Sequence, residues 1–128
     1  MVVEWENKDR VSCIIRPSKL EKYDYDLHYE LPQIFSRYGL RFLYINSGGS
    51  EKIKDGTLEY CQIQNEREDR VGSVGIHKQS NGTLICVDLF FIRPYVESQI
   101  VKDIPTEDRE KIVNEIDELL EKSERTSI

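Results

Sequence analysis

Residues 71–93 read VGSVGIHKQSNGTLICVDLFFIR, and their two apolar runs flank the pair Asn81-Gly82. An Asn-Gly pair between apolar runs is a strong hairpin signal, because both central residues of a type I′ turn have positive φ. With Asn81 and Gly82 as a two-residue loop, Ser80 opposes Thr83. The stretch therefore predicts two antiparallel strands paired in a defined register.

This register sorts the side chains of the hairpin onto two faces, because directly opposed residues share a face of a sheet. One face is apolar and is predicted to belong to the core: Val74, Ile76, Ile85, Val87, Leu89 and Phe91. The other face carries Val71, Ser73, Gly75, His77, Leu84, Cys86, Asp88, Phe90 and Ile92. Since the second strand is apolar on both faces, we expect it in the middle of the sheet and covered on both sides.

Asp88 stands in the middle of this second strand, where a carboxylate is costly unless it is paired or hydrogen-bonded. The register places Gly75 opposite Asp88, which leaves space above the backbone. His77 is the diagonal neighbour of Asp88, and Cys86 opposes His77. These three residues are the candidates for a catalytic or ligand-binding site, with Asp88 as a general base or ligand acceptor. The alternative is a structural ion pair at Asp88 and ordinary packing between Cys86 and His77.

The rest of the chain predicts four more strands and two helices. The strands are expected at residues 2–6, 11–16, 40–46 and 57–64, and the helices at residues 31–39 and from residue 106 onward. Pro32 suits the first turn of the short helix and Gly39 its C′ position. The prediction is one α+β domain over residues 1–128 in the order ββαββββα, with a frayed tail at residues 123–128. Its mostly antiparallel sheet of about six strands would carry the short helix and the amphipathic C-terminal helix packed on it.

Tyrosines alternate with acidic residues before the short helix. The set is Tyr23, Asp24, Tyr25, Asp26, Tyr29 and Glu30. Tyrosine supplies a large contact area at low entropic cost, and acidic side chains steer encounters with a basic partner. The sequence therefore offers this segment as a protein-binding surface, and a solvated loop lying on the domain is the alternative.

The charge balance of the 128-residue chain is acidic, with 24 acidic residues against 18 basic ones and a net charge of −6. Phosphate contacts need a basic face, so direct nucleic-acid binding is not expected. The N-terminus, MVVEWENKDR, is charged from its fourth residue, and no apolar run is long enough to span a bilayer. We therefore expect a cytoplasmic protein with no membrane association.

The cysteines and histidines show no metal-ligand spacing. Cys13, Cys61 and Cys86 lie far apart in strand-like runs, which is typical of buried free thiols. His28 and His77 have no Cys or His partner at the spacing of a zinc site. Neither a metal nor another cofactor is predicted.

Three fragments resemble the strands of GNAT-type N-acetyltransferases. Residues 71–75 (VGSVG) and 89–95 (LFFIRPY) resemble the central strands of that family, and residues 14–17 (IIRP) resemble its opening strand. The resemblance implies at best a degenerate acyltransferase-like protein. Where the family has a basic, glycine-rich loop for acetyl-CoA, residues 96–101 (VESQIV) have no glycine and an added acid. No cofactor site is therefore transferred from the family.

Three functions remain open at this point. The favoured hypothesis is a non-catalytic binding protein of the inhibitor or immunity-protein type, whose partner has a basic surface, such as a nucleic-acid enzyme or a toxin. The second is a small enzyme or small-molecule binder with a pocket around Asp88, and the third is a subunit of a larger assembly. An open pocket over Gly75 and Asp88 would favour the second hypothesis, whereas a helix packed there would favour the first.

Overall fold

The computed structural model describes residues 2–6, 8, 10–17, 27–92 and 104–126. Within these ranges the elements follow the predicted order ββαββββα. They are β1 (Val2–Trp5), β2 (Ser12–Arg16), α1 (Leu27–Ser36), β3 (Arg41–Gly49), β4 (Gly56–Gln64), β5 (Arg70–Gln79), β6 (Leu84–Phe90) and α2 (Thr106–Thr126). The predicted α+β fold class is confirmed. The backbone of α2 continues through residues 123–126, where the sequence predicted a frayed tail.

The six strands form one sheet in the order β1-β2-β6-β5-β4-β3, and each neighbouring pair is antiparallel. The strands β3 to β6 form the predicted meander, because each pairs with the next along the chain. The N-terminal hairpin then joins the sheet through β2, which pairs with β6. As predicted, β6 lies in the interior of the sheet, whereas β1 and β3 are its edges.

The turn between β5 and β6 differs from the predicted two-residue loop. The Gly82 amide donates a hydrogen bond of 2.9 Å to the Gln79 carbonyl, and the Gln79 amide donates one of 2.8 Å to the Thr83 carbonyl. Residues 80–82 therefore form a three-residue loop in which Gly82 has a φ of +89°. A three-residue loop with glycine in this conformation is another common hairpin connection.

A β-bulge then restores the predicted register. Lys78 pairs with Leu84, but His77 pairs with Cys86, so Ile85 is the extra residue. From His77 inward the pairing is as predicted, including Gly75 opposite Asp88. The bulge changes one assignment of the faces, because Leu84 takes the buried core position expected for Ile85, which is only half-buried.

Helix α1 begins at Leu27, earlier than predicted, and Pro32 lies inside it. A stripe of four buried residues explains the earlier start, because Leu27, Leu31, Ile34 and Phe35 follow helical spacing. The free energy gained by burying these four side chains outweighs the loss of the one helix hydrogen bond that Pro32 cannot donate. The helix ends at Ser36, and the turn that follows it closes at the predicted C′ residue Gly39, whose φ is +71°. The Gly39 amide donates a hydrogen bond to the Ser36 carbonyl, and the Leu40 amide donates one to the Phe35 carbonyl. This pair of hydrogen bonds is a Schellman cap.

Both helices pack on one face of the sheet and share a single core with it. The buried stripe of α2 contains Ile112, Val113, Ile116 and Leu120, as the helical spacing predicted. These residues meet the face of the sheet that carries Val74, Ile76, Val87 and Leu89. Because side chains alternate along a strand, Gly75, His77, Cys86 and Asp88 point to the opposite face. Among the described residues, neither helix is long and apolar enough to cross a membrane.

Candidate functional site

The loop between β3 and β4 contacts the sheet face that is turned away from the helices. Its backbone is tied internally, because the Gly56 amide donates to the Ile53 carbonyl and the Ser50 amide donates to the Gly56 carbonyl. Two of its side chains, Ser50 and Lys52, extend to residues of β5 and β6. The loop therefore completes a polar cluster that the strands alone do not form.

The cluster is a chain of hydrogen bonds centred on His77. The Nε2 atom of His77 lies 2.9 Å from Oδ2 of Asp88, and Nδ1 lies 2.6 Å from Oγ of Ser50. The ring is 4% exposed and Asp88 is 6% exposed, so both groups depend on partners inside the protein. If Nε2 carries the proton, His77 donates to Asp88 and accepts from the Ser50 hydroxyl.

Lys52 supplies the positive charge that the buried carboxylate needs. Its Nζ atom lies 3.1 Å from Oδ1 and 3.0 Å from Oδ2 of Asp88. The Lys52 side chain is 40% exposed, so the pair joins a buried carboxylate to an ammonium that remains partly in solvent. Such an arrangement avoids an isolated charge at Asp88 and pins the loop to β6.

Cys86 borders the same carboxylate, with its Sγ atom 3.8 Å from Oδ1 of Asp88. Burial, followed by the negative charge of Asp88, raises the pKa of the Cys86 thiol to about 11. A nucleophilic cysteine requires the thiolate, which this environment disfavours at neutral pH. The structure therefore does not support Cys86 as a nucleophile activated by His77.

A cleft of about 310 Å³ lies beside the cluster. Its lining combines apolar and polar side chains: Gly49, Glu51, Lys52, Leu58, Tyr60, Ser73, Gly75, His77, Asp88 and Phe90. Gly75 keeps the space open, because a Cβ atom at this position would lie 3.0 Å from Cδ1 of Leu58 and 3.6 Å from Nε2 of His77. The space expected above Gly75 is thus present among the described residues.

The site can perform two kinds of chemistry. The hydrogen-bonded chain from Ser50 through His77 to Asp88 can accept or relay a proton, since a neutral imidazole ring has one donor and one acceptor nitrogen. His77, Cys86 and Asp88 also place three potential metal-ligand atoms within 4.8 Å of one another. Both kinds of chemistry would act at the base of the cleft.

The candidate residues from the sequence analysis fall into two groups. Asp88, His77 and Cys86 come together as their register predicted. Of the proposed protein-binding set, Tyr23, Asp24, Tyr25 and Asp26 lie outside the described residues. Tyr29 and Glu30 lie in α1 rather than in a loop, with Tyr29 65% exposed and Glu30 half-buried.

Sequence reasoning missed Ser50 and Lys52, which lie between the strands predicted at residues 40–46 and 57–64. One signal could have pointed to Lys52. A carboxylate in the middle of a central strand needs a cation, and the loop next to this sheet face carries Lys52 and Lys54. No comparable signal exists for Ser50, because its contact with His77 depends on how the loop folds.

Comparison of the chain with protein-family models, with curated proteins and with solved structures found no match. The geometry of the site is therefore the basis for assigning a function.

Proposed function

We propose that this protein binds a small molecule in the cleft above Gly75. The observation that carries the proposal is an open, largely apolar cleft whose base holds the buried, hydrogen-bonded pair His77 and Asp88. Small-molecule sites are concave and mostly apolar, and a few fixed polar groups orient the ligand. The helices cover the other face of the sheet, which meets the condition that favours a small-molecule site.

The walls of the cleft indicate the shape of the ligand. Leu58, Tyr60 and Phe90 supply apolar surface, and Phe90 is 38% exposed, which is unusual for a phenylalanine on a central strand. Aromatic walls favour a flat or aliphatic group that excludes water from both rings. A volume of about 310 Å³ suits a molecule at the small end of ordinary ligands.

The charges of the cleft indicate its polarity. Lys52 and Asp88 balance each other, and Glu51 adds a negative charge at the lining. A strongly anionic ligand would lack a free cation among these lining residues. The proposed ligand is therefore a neutral or weakly cationic molecule with one apolar part and a hydrogen-bonding group that reaches His77 or Asp88.

The test is a metabolite and fragment screen by NMR, carried out with a metal chelator present. Gly75→Ala fills the floor of the cleft with one methyl group, and its contact at 3.0 Å is with the flexible end of Leu58. Gly48→Ala is the matched control, because a Cβ atom there would have nothing within 4 Å. We expect Gly75→Ala to weaken binding by about tenfold, equivalent to about 1.4 kcal/mol, and Gly48→Ala to leave binding unchanged.

Two outcomes would refute the cleft as a binding site. One is a screen in which no compound shifts the resonances of Gly75, His77 or Phe90. The other is a ligand whose affinity is the same for the wild type and for Gly75→Ala, because such a ligand cannot occupy the floor of the cleft.

A second candidate function is the binding of a basic protein partner, which the exposed side chains of α1 and β3 favour. Tyr29 is 65% exposed, Tyr44 51% and Ile45 43%, although large apolar residues are usually more buried. The rings of His28 and Tyr44 are in contact, so α1 and the edge strand β3 form one continuous surface. Tyrosine-rich surfaces next to an edge strand are suited to protein recognition.

Affinity capture from native extract at low and high salt tests this second candidate. We expect one basic protein that elutes with salt and whose capture is lost in the double variant Tyr29→Ser, Tyr44→Ser but kept in Glu110→Gln on α2. Several partners retained in fixed proportion at high salt would instead indicate a subunit of a larger assembly. A partner captured equally well by the double variant would exclude this surface.

A further inference from the structure

We propose that His77, Cys86 and Asp88 bind a zinc-type divalent metal ion at the base of the cleft. The inference rests on the proposed function, because the ion would have its open coordination position in the same cleft. The three donors come from two neighbouring strands, with His77 on β5 opposite Cys86 on β6 and Asp88 two residues further along β6. Strand alternation places all three side chains on the same face.

The separation of the donor atoms fits a metal site with a small adjustment. All three lie within 4.8 Å of one another, with His77 Nε2 2.9 Å from Asp88 Oδ2 and Cys86 Sγ 3.8 Å from Asp88 Oδ1. Neighbouring ligands on a tetrahedral zinc ion are about 3.3–3.7 Å apart, given its usual bond lengths. The widest pair would therefore have to close by about 1 Å, which side-chain rotation can supply.

Ser50 provides the orienting contact that metal-binding histidines usually have. With Nε2 bound to the ion, the proton of His77 resides on Nδ1, and Ser50 Oγ is 2.6 Å away to accept it. A hydrogen bond from the other ring nitrogen fixes the tautomer and the ring orientation of a metal ligand. The loop between β3 and β4 would thus hold His77 in the metal-binding orientation.

Lys52 marks where a cation sits on Asp88, since its ammonium contacts both carboxylate oxygens. A bound metal ion would displace this ammonium into solvent, which the 40% exposed side chain permits. The Cys86 proton leaves to solvent on binding, and the thiolate and carboxylate then neutralise the two charges of the ion.

The donor set also selects the kind of ion. Thiolate and imidazole favour Zn²⁺ and similar late transition metals over Mg²⁺ and Ca²⁺, which prefer oxygen ligands. His77 and Asp88 line the cleft, so the fourth position faces the space where the small molecule would bind. Three protein ligands with one open position is the arrangement of catalytic zinc sites.

The experiment is a titration of metal-stripped protein with Co²⁺, which replaces Zn²⁺ and gives a thiolate charge-transfer absorption band. We expect one equivalent to bind, with a band that Zn²⁺ abolishes by displacement. Cys86→Ala should lose the band. Cys61→Ala should keep the band. Cys61 is equally buried, but it pairs with Val74 and points to the face of the sheet that the helices cover.

Lys52→Met provides an independent test. The Lys52 side chain is partly exposed, so this variant should fold even if the buried substitution Cys86→Ala does not. Removing the Lys52 ammonium, which competes with the ion for the Asp88 carboxylate, should tighten Co²⁺ binding on the order of tenfold. The proposal is overturned if neither the wild type nor Lys52→Met shows a thiolate band, or if Cys86→Ala retains the band.

The titration uses no small molecule and the ligand screen uses a chelator, so the two proposals fail separately. A ligand found in the chelator-treated protein together with no thiolate band would refute only the metal site. A thiolate band with no small-molecule ligand would support the metal site and refute the proposed cleft binding in metal-free protein.

Discussion

Asp88 remains compatible with a central strand because three different groups surround its carboxylate. His77 and Cys86 approach it from the sheet, and Lys52 approaches it from the loop between β3 and β4. The buried partner His77 and the partly exposed partner Lys52 should differ in how much each stabilises the fold. A hydrogen bond between buried groups leaves an unsatisfied atom when one partner is removed, whereas an exposed ammonium returns to water.

Two substitutions measure this difference. Asp88→Ala should lower the free energy of unfolding by about 2–3 kcal/mol, because Nε2 of His77 is then buried without its acceptor. Lys52→Met should cost less, about 1 kcal/mol, because the Lys52 side chain is 40% exposed and the Asp88 carboxylate keeps its hydrogen bond to His77. Urea denaturation of both variants at neutral pH provides the comparison. Equal losses of stability would contradict the assignment of Lys52 as the minor partner.

At the scale of secondary-structure elements, one carboxylate of α2 joins that helix to the residues just after α1. Glu115 of α2 accepts hydrogen bonds from Arg37 and from the Tyr38 hydroxyl just after α1, the first with Nε at 3.0 Å. The hydrogen bond to Glu115, followed by burial, raises the pKa of Tyr38 to about 12. Burial alone would raise the pKa of Glu115, but the hydrogen bonds from Tyr38 and Arg37 and the charge of Arg37 outweigh it and lower that pKa.

Tyr38→Phe should therefore lower the free energy of unfolding by about 1 kcal/mol at pH 7. Glu115 has a lowered pKa when folded, so its contribution is present above its unfolded value of about 4.3 and is lost as the pH falls through the folded value. The contribution of Tyr38, whose pKa is raised, is present below about 10 and is lost as the pH rises through the folded value. Because this hydrogen bond also requires the ionised Glu115 carboxylate, the stabilities of the wild type and the variant in urea should converge in acid.

Tyr29→Phe is the matched control for that measurement, because Tyr29 lies in α1, nine residues before Tyr38, but is 65% exposed. Its loss of a hydroxyl should leave the stability unchanged within about 0.5 kcal/mol. If Tyr38→Phe is as stable as the wild type at pH 7, the hydroxyl does not join the helices.

The same scale shows why sequence reasoning succeeded for the strands and failed at their ends. Alternation of apolar residues is a local signal, and it identified β5, β6 and the opposition of Gly75 and Asp88. The loop is one residue longer than predicted, and the bulge at Ile85 adds one unpaired residue to β6, so the two shifts of the strand register compensate. The pairing from His77 inward is therefore the predicted one. The start of α1 at Leu27 was missed because the prediction placed Pro32 in the first turn, although Leu27 continues the helical spacing of the buried residues after it.

At the scale of the whole molecule, the fold class and the three sheet residues of the candidate site could be predicted from the sequence. The site itself could not, because Ser50 and Lys52 reach it through the packing of a loop whose composition indicates only flexibility. Loop packing is a tertiary effect, decided by the partners that the loop finds on the sheet. The favoured inhibitor hypothesis relied on charge and tyrosine content, which describe a surface and not a cavity.

The meander of β3 to β6 lowers the entropy cost of bringing the residues of the site together during folding. The three sheet residues of the cluster are close in sequence, with His77 and Asp88 separated by 11 positions, and the contact of Lys52 with Asp88 spans 36. In contrast, Ser12 of β2 pairs with Phe90, 78 positions further along. Closing the longer loop costs about 1.7 kcal/mol more in chain entropy, since this cost grows with the logarithm of loop length. The contacts of the site thus span fewer residues than the pairing of β2 with β6, and the longest-range closure falls on the N-terminal hairpin.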